Sequence, residues 1–183
     1  SEHHAMDTLA CTAPEVMLAR IGAETSRIRI GAGGIMLPHY TPLKVAECFR
    51  MLHALYPGRV DLGVGRAPGG GPVEALALKR ERKTPMPDDF PDQVAELLAF
   101  LNRSFPSDHP FSRVKVSPHT DGGPDVWMLG SSLWSAAAAV EFIERPSSSW
   151  RHRRHANFIE QFARLRGGHQ RAQCHHVTVI AAG

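Results

Sequence analysis

Apolar and polar positions alternate between two periods along this chain. Residues 14–24, PEVMLARIGAE, follow the helical period: Val16, Ala19 and Ala23, with Leu18 and Ile21, predict one apolar stripe. Pro14 suits the first helical position because its missing N–H has no partner to lose there, and Thr12 or Ala13 is the cap. Residues 27–31, RIRIG, switch to the two-residue period and predict a strand that GAGGIML continues. TPLKVAECFRMLHALYPG repeats the helical grammar, with Thr41 as cap, Pro42 next, Leu43, Ala46, Phe49 and Leu52 on one face, and Pro57–Gly58 as the stop. RVDLGVG (59–65) is again a strand.

Downstream, PVEALALKR predicts a short helix and DDFPDQVAELLAFLNR a longer one. Residues 104–124 have the composition of a loop, and DVWMLG (125–130) reads as a short strand. SSLWSAAAAVEF and HANFIEQFARLR read as helices, and HHVTVIAA as a last strand. Short strands alternating with longer helices predict parallel βα units, in a doubly wound sheet or a (β/α)8 barrel.

Composition narrows the class. A chain of 183 residues can bury one substantial core. No apolar run approaches the roughly 20 residues that span a bilayer. The opening SEHHAM has no basic stretch leading into an apolar one, so no secretory signal is expected, and it begins abruptly, as a cut chain would. Cys11, Cys48 and Cys174 are odd in number, far apart and without CxxC or zinc spacing. That pattern predicts reduced thiols, a cytoplasmic location and no metal site. The net charge of +3 is local in origin, with Arg145, Arg151, Arg153, Arg154, Arg164, Arg166 and Arg171 crowding the end. The RPSSSWRHRRH stretch has one tryptophan among its arginines; a nucleic-acid role is weighed on it and set below a solvated basic loop.

The stretch DLGVGRAPGG (61–70) poses the chemical question. A dinucleotide fingerprint needs G-x-G-x-x-G; Gly63 and Gly65 fit, but Pro68 occupies the third place. Lys83-Thr84-Pro85 stands where a ribose-binding acid belongs, and no GK[ST] follows for a P-loop. The remaining reading is a βα loop at the carboxyl edge of a parallel strand, where such sheets bind ligands. Arg66 is the first residue past that strand, and a guanidinium can grip a phosphate with two parallel donors.

SEHHAM, the block IRIGAGGIMLPHYTPLKVAECFRMLHALYPGRVDLGVGRAPG and VWMLGSS together resemble the bacterial luciferase-like monooxygenase family, in order and in spacing. The resemblance covers residues 1–142, fails from 143 to about 154 and is partial afterwards. It implies an incomplete (β/α)8 TIM-type barrel, lacking the first strands and one later strand. It implies one partial barrel domain over 1–183, with 144–155 as a divergent basic loop on the surface. Three origins stay open for that segment: a solvated loop, a read-through in a shifted frame, or omitted residues.

By the same resemblance the protein is a flavin-dependent monooxygenase. Reduced FMN, supplied by a flavin reductase, reacts with dioxygen and an organic substrate is oxidised. The alternatives are a non-catalytic flavin-binding relative and an oxidoreductase using the deazaflavin F420. As a fragment, the chain is expected to have weak or no activity. His3 matches the family histidine that handles a proton near the flavin, while His4 reads as structural. Ala32 and Gly33 match small positions beside the flavin ring. Arg66, Gly130, Ser131 and Ser132 match the phosphate site; Ser131 also suits plain helix capping. Gly65 replaces the cysteine that precedes this arginine in the luciferase itself. His39, Tyr40 and Lys44 are candidates for the substrate side, and the loops 67–88 and 104–124 for specificity. His53 and His109 read as surface residues. A homodimer through helices near the chain start is a family expectation that the missing elements put in doubt.

Overall fold

The structure is a computed structural model, and it describes residues 1–9, 11–79 and 88–130. Ser1–Leu129 make one compact unit. Its order is α1 (Pro14–Glu24), β1 (Ile30–Met36), α2 (Pro42–Leu55), β2 (Val60–Gly65), α3 (Pro72–Leu78), α4 (Phe90–Asn102) and β3 (Asp125–Met128). Single 3-10 turns follow β1 (Leu37–His39) and precede β3 (Pro110–Arg113). The helices SSLWSAAAAVEF and HANFIEQFARLR, the strand HHVTVIAA, Cys174 and the basic segment 144–155 lie outside the described residues.

The three strands pair in parallel in the order β1-β2-β3. Ile30 stands opposite Val60, and Asp61 opposite Asp125. The β1–β2 register slips between Ala32 and Ile35. Side chains alternate across a strand, so Ile30, Ala32, Val60, Leu62 and Val64 fall on one face, and all are buried. Helices α1 and α2 cover that face, and α4 packs on α2. Leu62, Ala46 and Leu97 are fully buried, and burying one such leucine contributes about 1.5–3 kcal/mol.

Proline opens α1, α2 and α3 at the first position, as the pattern predicts. After α2, Gly58 turns the chain at φ +73, a conformation that costs an L-residue a clash at Cβ. Three expectations need correction. Strand β1 starts at Ile30, because residues 26–28 bend. In α1 the buried stripe is Pro14, Leu18 and Gly22, while Val16 and Ile21 are exposed. Tyr56 sets that face: its hydroxyl donates to the Ala19 carbonyl at 2.6 Å, and its ring fills the space that a side chain at position 22 would need. His53 is buried rather than on the surface, with its Nε2 3.2 Å from the Asp121 carbonyl oxygen. His109 is half-buried; its Nδ1 accepts from the Phe111 N–H at 3.1 Å.

Candidate active site at the carboxyl ends of the strands

In a parallel sheet the loops that leave the strands gather at one edge. Met36 ends β1 opposite Gly65, which ends β2, and Arg66 follows at once. Leu129 continues past β3, its N–H donating to the Val64 carbonyl at 2.8 Å. The loop 104–124, by contrast, enters β3 at Asp125, beside the start of β2. It therefore belongs to the opposite edge, and of the two specificity candidates only 67–88 leaves a strand at the carboxyl end.

The first residues strap this edge. The Glu2 N–H donates to the Gly34 carbonyl at 3.2 Å, and the His4 N–H to the Gly69 carbonyl at 3.0 Å. Gly69 sits at φ +69, and the Met36 side chain occupies the space its Cβ would take. The strap thus ties the end of β1 to the loop after β2.

Glu2 is the residue that sequence reasoning missed. Its side chain is fully buried. Oε1 lies 2.7 Å from His4 Nε2 and accepts from the Tyr40 hydroxyl at 2.6 Å. Oε2 accepts from the Met36 N–H at 2.8 Å. Burial, followed by this hydrogen bond to a carboxylate, pushes the Tyr40 phenol well above its usual range. The His39 ring stands edge-on to His4 at 6.1 Å, with its Nε2 2.9 Å from the Pro68 carbonyl. Only His4 is local to Glu2, two residues on; Met36 and Tyr40 are 34 and 38 residues away, so little in the sequence announces the cluster. One acid beside two histidines, EHH, was the available signal.

The sequence-derived residues fall as follows. His3 is half-buried; its N–H donates to the Cys11 carbonyl at 3.1 Å, and its Nδ1 is 3.2 Å from Ser1 Oγ. Arg66 is exposed and pairs with Asp88 at 2.7 Å. Ala32 and Gly33 part company: Ala32 is buried on the helix-covered face, whereas a Cβ at Gly33 would meet nothing within 4 Å. Gly34 is closed, since a Cβ there would come 2.7 Å from the Gly63 carbonyl oxygen and against Leu129. Gly130 is exposed. Ser131 and Ser132 lie outside the described residues.

Tyr40 and Lys44 line a cavity of about 50 Å³ together with Glu15, Ile35, Cys48 and Phe49. It has room for a water or two, not for an organic substrate. Burial pushes the Cys48 thiol up, with Lys44 opposing. Cys11 and Cys48 are both free thiols. Among the described residues no group of three or more His, Cys, Asp or Glu is arranged to hold a metal, and no helix is long and apolar enough to cross a membrane.

Comparison with known proteins bears on this edge. An N-acetyl-S-alkylcysteine monooxygenase of Bacillus subtilis is 43% identical over 141 residues, which are 77% of this chain and 42% of that protein. The crystal structure of apo-MsnO8 superposes with a TM-score of 0.67 at 49% identity, over 76% of this chain and 40% of that one. The oxygenating constituent of 3,6-diketocamphane monooxygenase from Pseudomonas putida, solved with FMN, superposes at 0.57 over 94% of this chain and 53% of its own, with 21% identity, and so shares the fold. The chain spans about two-fifths of the length of the curated relatives it matches. Its sheet and helices are accordingly an arc of a barrel. The Luciferase-like monooxygenase model matches residues 1–181, and with the relatives it shows that this chain belongs to that family.

Proposed function

We propose that this chain carries part of the flavin site of a monooxygenase that uses reduced FMN and dioxygen to oxidise a small organic substrate. One observation carries the reading. The EHH strap, the end of β1 and the loop bearing Arg66 are hydrogen-bonded into a single carboxyl-end edge. A neighbour of the same fold was solved with FMN, which supports a flavin ligand.

The residues present fit such a group. Gly33 leaves open space beside the strand, room that a ring system needs. Arg66 is engaged by Asp88 with both side chains about half exposed. An exposed pair of this kind contributes only about 0–1 kcal/mol, so the ion pair with Asp88 is a weak competitor for a phosphate. The family resemblance adds Gly130, Ser131 and Ser132 on the phosphate side. A bound reduced flavin would supply the reaction with dioxygen. The protein's part is to bind, orient, exclude water and handle a proton, the last at His3.

Replacing Arg66 with alanine tests the reading. FMN affinity should fall about 10- to 100-fold, the range of a charge-assisted hydrogen bond, with riboflavin affinity nearly unchanged. Equal losses for both ligands, or no FMN binding by the parent chain, would overturn it. Product assays with reduced FMN then separate turnover from binding alone.

A further inference from the structure

Glu2 is more than a strap residue. Its two oxygens meet three donors: the Met36 N–H, the Tyr40 hydroxyl and the His4 ring. A carboxylate at Oε1 requires His4 Nε2 to carry the proton of that contact. In the neutral imidazole the Nδ1 lone pair then remains, and among the described residues it takes no hydrogen bond. The His4 side chain keeps 16% of its surface exposed. This is the geometry in which a carboxylate fixes the tautomer of an imidazole that accepts protons at its other nitrogen.

We infer that Glu2 is a positioning residue that holds His4 as a second proton acceptor of the proposed flavin site, alongside His3. The inference rests on the flavin reading. The step is a simple transfer. A proton from a bound group or water moves to His4 Nδ1, and the resulting imidazolium keeps its Nε2–H on the Glu2 carboxylate. Tyr40 supports the arrangement from the other side of Oε1, because a phenol that stays protonated remains a donor.

The substitution Glu2→Gln gives a directional test. The oxygen of the amide must face the Met36 N–H, so its NH2 group faces His4 and Tyr40. His4 Nε2 must then accept, and the ring inverts to the Nδ1–H form. The full chain, with 15N-labelled histidine, is read by long-range 1H–15N spectra about two pH units above the ordinary imidazole value of about 6.5. The expected results are Nε2–H at His4 in the parent chain and in Tyr40→Phe, and Nδ1–H in Glu2→Gln. A purely structural Glu2–His4 contact would give the same tautomers, but its His4 15N signals would not move when FMN is added; the positioning role predicts a shift of the His4 Nδ1 signal on FMN binding to the parent chain, and its absence overturns the inference.

Nδ1–H in the parent chain, or an unchanged tautomer in a folded Glu2→Gln, overturns the inference while leaving the flavin reading intact. Should Glu2→Gln not fold, the parent and Tyr40→Phe spectra decide. Absence of FMN binding by the parent overturns the flavin reading, and the assignment of His4 to that site falls with it.

Discussion

The two ends of the sheet hold charge in opposite ways. At the amino end, Arg29 grips Asp61 with two parallel contacts of 2.9 and 2.6 Å, reaches Asp125 at 2.6 Å and donates to the Gly58 carbonyl at 2.8 Å. Trp127 adds its indole N–H to Asp61 at 2.9 Å. The hydrogen bond with Asp61 pushes the guanidinium pKa up, against some loss of hydration. Arg29 stands just before β1, Asp61 lies in β2, and Asp125 and Trp127 lie in β3, so the group ties the three strands together at one end. At the carboxyl end, one buried carboxylate gathers donors from the strap, β1 and Tyr40, and Arg66 stands half exposed beside Asp88. The first group spans the starts of the three strands; the second ties the strap to the end of β1. Parallel α/β folds divide stability and chemistry between their ends in this way.

The difference can be broken from either side. The largest effect is expected for Glu2→Ala, which leaves three donors without an acceptor, two of them side chains that cannot all rehydrate. Unfolding in urea should show a loss of about 3 kcal/mol or more. Gly34→Ala comes next, at about 1–3 kcal/mol, because its new methyl meets the Gly63 carbonyl. Gly33→Ala is its control: a melt within a few degrees of the parent, with any loss appearing in FMN affinity. Arg29→Leu should cost about 1–2 kcal/mol and leave FMN affinity unchanged, since its partners lie at the far end and are partly hydrated. A change in FMN affinity there would dissolve the division of labour.

The smallest effect is read by pH. The Tyr40 pKa is raised in the folded state, so the fold retains a proton that the unfolded chain releases above about pH 10. Stability from this group is present below that pH and is lost as pH rises further. Phenolate absorbance of the parent minus Tyr40→Phe should therefore appear later than for an ordinary tyrosine.

The elements were legible because periodicity is local. The helix 14–24 and the strand within 59–65 need no distant partner to be seen. Their buried faces were less so. In α1 the deciding contact is a tyrosine ring 34 positions away pressed on Gly22, and a glycine carries no hydropathy signal. His53 looked like a surface residue because its partner is a backbone carbonyl across the fold. Among the candidate residues, the place of Arg66 just past β2 was legible from the strand pattern, while Gly33 entered only through the family resemblance. Glu2 was not, since a carboxylate at the chain start declares its role only when Met36, Tyr40 and His4 come together.

Arg50 offers a last lesson in architecture. It is buried in α2 and donates to the carbonyls of Leu101 at 2.9 Å, Thr120 at 2.8 Å and Pro118 at 3.2 Å. Burial pulls its pKa down, yet a guanidinium keeps its charge at any ordinary pH. One side chain thereby closes the neck of the excursion between α4 and β3. Within it, Phe105, His109 and Phe111 stack around Phe100 as a satellite core. Loop length contributes only slowly to closure entropy once the neck is fixed. Residues 113–115, exposed and outside that ring cluster, therefore form a natural handle, where a label or an inserted tag would report on the molecule while the strands stay in register.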